Sequence, residues 1–235
     1  GYNFDIRKHL LEYDDVVNKQ REVIYAQRRE VLSASELTAQ VMRMVGDEVK
    51  RVIATHTPGP DPADWDLRAL YSELRLFMPL AANFDYRPWS EQTAEQIEAG
   101  LAELAEAACS SLNREIGHQL YRQAVQEELL LAALAASPDP GRRLVYERLV
   151  GTLGAEPPAE QRETPLAAHS DESKAAVEEA YVAAYSLVRD RQLLLQAVDS
   201  LWVRHLTDLE ILREGIGLRA YGQQNPLVAY RKEAH

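Results

Sequence analysis

Two long stretches without glycine or proline, Phe4 to Leu32 near one end of the chain and Asp171 to Glu214 near the other, constrain the fold more than any other feature of the sequence. Glycine in a helix interior costs about 1 kcal/mol relative to alanine and proline about 3 kcal/mol, so long runs lacking both read as uninterrupted helices. At about 1.5 Å per residue the first stretch spans roughly 40 Å. Leu10, Val17, Ile24 and Val31 recur every seven residues, as do Tyr181, Val188, Leu195, Trp202 and Leu209. Sevenfold apolar spacing keeps a seam on one side of a helix. Two rods with one seam each are expected to pack antiparallel as a frame, with Leu195, Trp202 and Leu209 on the packed face.

The residues between the rods break into shorter helices. Ser33 and Glu36 have the spacing of a capping box for a helix running to about Thr55. The prolines of Thr57-Pro-Gly-Pro-Asp-Pro62 end it, because each removes a backbone donor. A short helix follows over about Asp64 to Phe77. Ser90 is the expected N-cap of a longer one reaching Ala136, bent at Gly100 or Gly117. After Ser137-Pro-Asp-Pro-Gly141 a helix runs to about Val150, residues 151–169 read as a flexible loop, and Ser170 caps the second rod. Gly215, Gly217 and Gly222 predict that the rod ends at Gly215. Asn225-Pro226 restarts a helix, with Asn as cap and Pro at the first position. The result is an α-hairpin whose loop runs from Gly215 to Gln224, with Tyr221 near its apex. No segment shows the alternating, β-branched pattern of strands. The fold class is all-α: two long helices packed antiparallel, shorter helices inserted between them, and a terminal α-hairpin. The corresponding segments are residues 1–56, 57–170 and 171–235.

Several classes of function are excluded by what the sequence lacks. No glycine precedes a lysine, so there is no phosphate-cradling P-loop. The six histidines are scattered, without the i, i+4 pairing around a glutamate that a helical zinc site uses. There is no Gly-x-Ser-x-Gly elbow. Glu12, Asp14 and Asp15 cluster in sequence, but on a helix they point in different directions and read as a solvated face. Cys109 is the one cysteine and reads as a small core residue, so there is no disulfide framework. The longest apolar run, Leu129 to Ala136, is well short of the roughly 20 residues a membrane span needs. The chain opens on Gly-Tyr-Asn-Phe-Asp with neither an initiator methionine nor a basic-then-apolar leader, and is expected to be a piece of a longer protein. Of the net charge of −11, residues 1–32 contribute nothing, with six basic and six acidic side chains, whereas residues 33–200 hold 15 basic and 27 acidic. An acidic middle between near-neutral ends has no basic stripe for phosphates, which excludes a nucleic-acid surface.

The wording of the two rods is more specific than their period. Asn3 to Arg28, NFDIRKHLLEYDDVVNKQREVIYAQR, resembles the start of the long scaffold helix of the SecA preprotein translocases. Leu194 to His235, LLQAVDSLWVRHLTDLEILREGIGLRAYGQQNPLVAYRKEAH, resembles the two-helix finger of the same family. The resemblance implies a parent protein that hydrolyses ATP with Mg in motor domains outside this chain, and that moves preproteins through a SecY-type channel. This chain itself is expected to bind no cofactor and to be inactive alone. Its implied partners are the channel complex, the preprotein and its own motor domains, with a homodimer also allowed. Its implied location is cytoplasmic, peripherally on the cytoplasmic face of the membrane. In the family the finger tip carries a tyrosine or another bulky residue that touches the translocating chain, which assigns Tyr221, with Arg219 beside it, to preprotein and channel contact. A ring held on a tight loop suits this, since a ring face accepts varied side chains. Arg28 is assigned to motor coupling, because a guanidinium makes bidentate contacts to carboxylates. By this reading the sequence stops within the second finger helix. The resemblance makes residues 1–56 and 171–235 the helical scaffold and finger, and residues 57–170 a helical wing that is expected to carry a lineage-specific extension, since the stretch between the two recognised ends is longer than a compact member of the family implies. A non-enzymatic helical adaptor and a motorless SecA-like accessory protein remain alternatives.

Overall fold

The computed structural model describes the backbone of residues 2–219, 230 and 232–234, and the side chains of residues 14–216, 230 and 232–234. Among the described residues the fold is all-α. In chain order the helices are α1 (Tyr2–Ser33), α2 (Thr38–His56), α3 (Leu67–Leu74), α4 (Ala94–Gln126), α5 (Leu131–Ala135), α6 (Pro140–Leu153), α7 (Ala159–Arg162) and α8 (Asp171–Arg219). Short 3-10 turns occur at Pro62–Asp64, Arg87–Glu91 and Leu166–Ala168. The chain forms two compact units, one of residues 1–35 with 191–235 and one of residues 36–190. The segment boundaries read from sequence, after residues 56 and 170, both fall inside the second unit.

In the 36–190 unit the helix ends follow local chemistry, although not always at the expected residue. Ser33 is the last residue of α1, its hydroxyl donating to Glu30 O at 3.2 Å, and it does not cap α2. Instead α2 starts after Leu37, whose apolar side chain makes no cap bond and is buried. At the other end Thr57 closes α2, with its N–H and its hydroxyl both donating to Ile53 O at 2.9 Å. Asp66 caps α3 by accepting from Ala69 N–H at 2.9 Å. Thr93, and not Ser90, caps α4. Its hydroxyl accepts from Gln96 N–H at 3.3 Å while Gln96 Oε1 accepts from Thr93 N–H at 2.8 Å, a reciprocal capping box. Ser90 donates to Arg87 O inside the preceding 3-10 turn. Asp139 caps α6, with Pro140 at the first helical position. Ser170 does cap α8, its hydroxyl accepting from Ser173 N–H at 3.2 Å.

α4 stops at Gln126 and does not continue to Ala136. Glu128 takes φ 53°, Glu128 N–H bonds Val125 O at 3.1 Å, and Leu129 N–H bonds Ala124 O at 3.0 Å. That pair of bonds is a Schellman ending, which usually has glycine at the left-handed position. Residues 151–169 are equally structured. They contain α7, and Leu166 is 1% exposed with its N–H donating to Leu129 O at 2.9 Å. His169 is buried, its Nε2 donating to Thr164 O at 3.0 Å and its Nδ1 3.1 Å from Ser173 Oγ.

The unit holds two apolar clusters. In one, Val49, Val52 and Ile53 of α2 pack on Leu70 and Leu74 of α3 and on Ile97 and Leu101 of α4, with Trp89 closing the end. In the other, α8 presents Val177, Tyr181 and Ala184 to Tyr121 of α4, Leu131 and Leu134 of α5, and Val145 and Leu149 of α6. Gly117 makes this approach possible, because a Cβ there would lie 2.6 Å from Val182 Cα, a backbone atom that cannot yield.

The tyrosines of this second cluster predict an alkaline transition. Tyr181 and Tyr185 stack at 5.9 Å, and Tyr121 meets Tyr181 edge-on at 5.9 Å. Burial, with the carboxylate of Asp139 beside it, pushes the Tyr185 phenol from 10.0 up to about 12, and burial also raises Tyr181 and Tyr121. A folded-state pKa above the unfolded value contributes stability that is fully present below the unfolded pKa and lost as pH rises through the folded one. Helicity by circular dichroism is therefore expected to hold to about pH 10 and to fall between 10 and 12, together with late phenolate absorbance. Flat helicity through that window, with every phenol already titrated, would show that these rings are not protected.

Candidate functional site

The unit of residues 1–35 and 191–235 pairs two long helices. Arg28 of α1 forms an ion pair with Asp199 of α8, His205 Nε2 lies 3.1 Å from Gln20 Oε1, and Val16 shares an apolar cluster with Leu209. Partners on α8 rise in number as those on α1 fall, so the two helices run antiparallel. Near residue 34 the pairing is fastened by Arg191, whose Nη2 donates to Ala34 O at 2.9 Å. The cluster of Val16 and Leu209 also takes in Ile216, Tyr230 and Ala234, so a later arm of the chain is seated on both helices.

Of the residues predicted to pack the scaffold, Leu209 is buried, whereas Leu195 and Trp202 are half-buried. Leu194 takes the buried place beside Leu195. Trp202, 5.8 Å from the ring of His205, lines a groove of about 620 Å³. Val16, Val23 and Ile24 of α1 and Leu201 of α8 form the apolar wall of that groove, and Asp15, Lys19, Gln20 and His205 contribute its polar groups. On the other side of α1, Asp14, Asn18, Arg21, Glu210, Arg213 and Tyr230 border a recess of about 420 Å³. Arg28 is held within the chain by Asp199. With the two side chains 32% and 52% exposed, this is a surface pair worth about 0–1 kcal/mol. The rod does not end at Gly215, as α8 runs on to Arg219. A Cβ at Gly215 would meet nothing within 4 Å, so no turn or close approach requires glycine there. Tyr221 lies outside the described residues, as do the remainder of the predicted hairpin loop and the side chain of Arg219.

Gln20, Arg191, Asp199 and His205 of this unit were not singled out from sequence. The signal was present for two of them. Gln20 and His205 are polar residues in the same 3–4 register as Val16, Ile24, Trp202 and Leu209, where an apolar side chain would continue the seam.

The two helices leave large apolar side chains uncovered. Val23 is 58% exposed, Leu201 66%, Val203 63% and Ile211 62%. Of these, Val23 and Leu201 share the groove wall beside Trp202, whereas Val203, two residues on from Leu201, faces another side of α8. Among the described residues no group of His, Cys, Asp and Glu side chains could hold a metal ion, and no helix is long and apolar enough to cross a membrane.

Comparison with known proteins matches the whole chain, residues 1–235, to the family model described as the SecA Wing and Scaffold domain. The protein translocase subunit SecA of Dehalococcoides mccartyi strain BAV1 is 32% identical over 235 residues, covering 100% of this chain and 18% of that protein. The protein of the same name from Desulfotalea psychrophila is 33% identical over 236 residues, covering 100% of this chain and 20% of that protein. The chain thus spans about a fifth of the length of the curated relatives it matches, and the matches run through residues 57–170 as well as both ends. On that end-to-end match and the all-α architecture that accompanies it, the chain belongs to the SecA family, to whose wing and scaffold domain it corresponds.

Proposed function

We propose that this chain is the scaffold and wing of an ATP-driven preprotein translocase. In this reading, motor domains outside residues 1–235 hydrolyse ATP with Mg, and the helix pair of α1 and α8 carries their movement toward a SecY-type channel at the cytoplasmic face of the membrane. The observation that carries the reading is the end-to-end match to the SecA wing and scaffold domain. The apolar groove wall of Val16, Val23, Ile24 and Leu201 supports it, since a coupling rod must offer its neighbours surface to grip. Arg28 acts in coupling beside the second helix, where Asp199 is its partner until a motor carboxylate competes for it. Tyr221 and Arg219 form the contact with preprotein and channel, and the chain alone does no chemistry.

The test is made in the full-length protein. Tyr221→Ala is expected to leave thermal stability and basal ATPase nearly unchanged and to impair preprotein transport into vesicles holding the SecY-type channel. Tyr221→Phe is expected to retain much of the transport, because the property required is a ring face and not the hydroxyl. A crosslinker at position 221 should capture stalled preprotein. Normal transport by the alanine variant with no crosslink would make Tyr221 a structural loop residue.

A further inference from the structure

Gln20 occupies a seam position of α1, yet its amide has a partner at each end. The nitrogen donates to Ala234 O at 2.7 Å, and Oε1 lies 3.1 Å from His205 Nε2 on α8. A carbonyl only accepts, so the amide nitrogen must face Ala234. The amide oxygen then faces His205, whose Nε2 must carry the hydrogen of that bond. Few side chains meet both demands. A carboxylate could hold His205 but would set an oxygen against the Ala234 carbonyl, and an aliphatic side chain could hold neither.

The arm that Gln20 reaches is pressed onto the helix pair by other means as well. Tyr230 is 1% exposed and Ala234 3%, packed with Val16, Leu209 and Ile216, and Ala234 N–H closes a helical turn onto Tyr230 O at 2.8 Å. Apolar burial is non-directional and tolerates sliding. The Gln20 amide is directional and reads a main-chain atom, so it discriminates one placement of the arm from its neighbours.

The geometry points to Gln20 as a positioning residue: its amide, oriented by His205, sets the register of Tyr230 and residues 232–234 on α1 and α8. The consequence for transport rests on the proposed function and on the resemblance of Leu194 to His235 to a two-helix finger, by which this arm is the finger's return side and its register fixes how Tyr221 is offered to the preprotein.

The experiment uses the full-length protein with Gln20→Leu, Gln20→Glu and His205→Leu, measuring amide hydrogen exchange together with transport and basal ATPase. Gln20→Leu and Gln20→Glu are expected to speed exchange at Lys232, Glu233 and Ala234 roughly tenfold, the equivalent of about one net hydrogen bond, while amides of α1 and α8 are unchanged. Gln20→Glu should be no milder although it keeps the His205 bond. His205→Leu should do less, because the bond to Ala234 survives. Unchanged exchange in the arm for both Gln20 variants overturns the proposal. So does equal acceleration along α1 and α8, which would make Gln20 an ordinary packing residue. If the arm loosens and transport falls while ATPase is kept, both this proposal and the finger reading stand. If the arm loosens and transport stays normal, the positioning role stands and the finger reading fails.

Discussion

Truncating Tyr181 to alanine will destabilise the 36–190 unit by about 3–5 kcal/mol, the range for removing a buried aromatic side chain. Tyr181 is 1% exposed at the centre of the second apolar cluster, stacked on Tyr185 and edge-on to Tyr121. It therefore forfeits both buried area and two ring contacts, each worth about 0.5–1.5 kcal/mol beyond area. The informative companion is Tyr181→Phe. The hydroxyl of Tyr181 is buried with no hydrogen-bond partner, so removing it costs no bond and relieves a desolvated polar atom. Phenylalanine is expected to be neutral or to stabilise by up to about 1 kcal/mol. Urea denaturation followed by circular dichroism measures both. A phenylalanine variant that loses as much as the alanine variant would mean that the hydroxyl, and not the ring, holds the site.

Tyr181 also shows how much of this fold was legible in advance. It is the first member of the sevenfold seam read from the second rod, and it is buried, as is Leu209, the last. Val188, Leu195 and Trp202 between them are half-buried, while Leu187 and Leu194 are the buried residues. Tyr181 packs in the cluster of the 36–190 unit and Leu209 in that of the other unit, so no single row along α8 serves one packed face throughout. The rods themselves were legible because long runs without glycine or proline leave few alternatives. The stop after α4 was not, because the left-handed position is filled by Glu128 and no glycine marks it. The extension of α8 through Gly215 was misread for the converse reason: glycine permits a turn but does not impose one. Within the candidate site, the two long helices could be read from the sequence, but of the described residues in their sevenfold rows only Val31 and Leu209 are buried in this unit. The Gln20–His205 link could not be read, since a polar residue in an apolar register names no partner until the second helix is placed opposite it.

Asp190 will prove the most costly polar residue of the 36–190 unit to remove. It is 0% exposed on α8, and its carboxylate holds two groups. Thr38 donates its hydroxyl to Oδ2 at 2.7 Å, and Arg189 donates Nη2 and Nε to Oδ1 at 2.6 and 3.1 Å. Thr38 is the first residue of α2, and the preceding Leu37 supplies no side-chain cap. Asp190 therefore places a negative charge where the unpaired amides and dipole of α2 favour one. Arg189 is hard to satisfy otherwise. Its Nη1 is buried without a partner, and the other contact of its Nη2 is Cys109 Sγ at 3.7 Å, a weak acceptor. Asp190→Ala strands that guanidinium and the Thr38 hydroxyl, for an expected loss of about 3–5 kcal/mol. Asp190→Asn keeps an acceptor for Thr38 and should lose less. The decisive variant removes both charges at once, Arg189→Met with Asp190→Leu, because apolar replacement of a whole buried pair is often neutral or stabilising where removal of one partner is not. The double variant is expected to recover most of the stability lost by Asp190→Ala, read as the urea midpoint at constant slope. If it is as unstable as the single variant, the carboxylate acts chiefly on Thr38 and the start of α2; if Asp190→Ala costs under about 1 kcal/mol, Arg189 and Thr38 have found water instead and the buried pair contributes little to the fold.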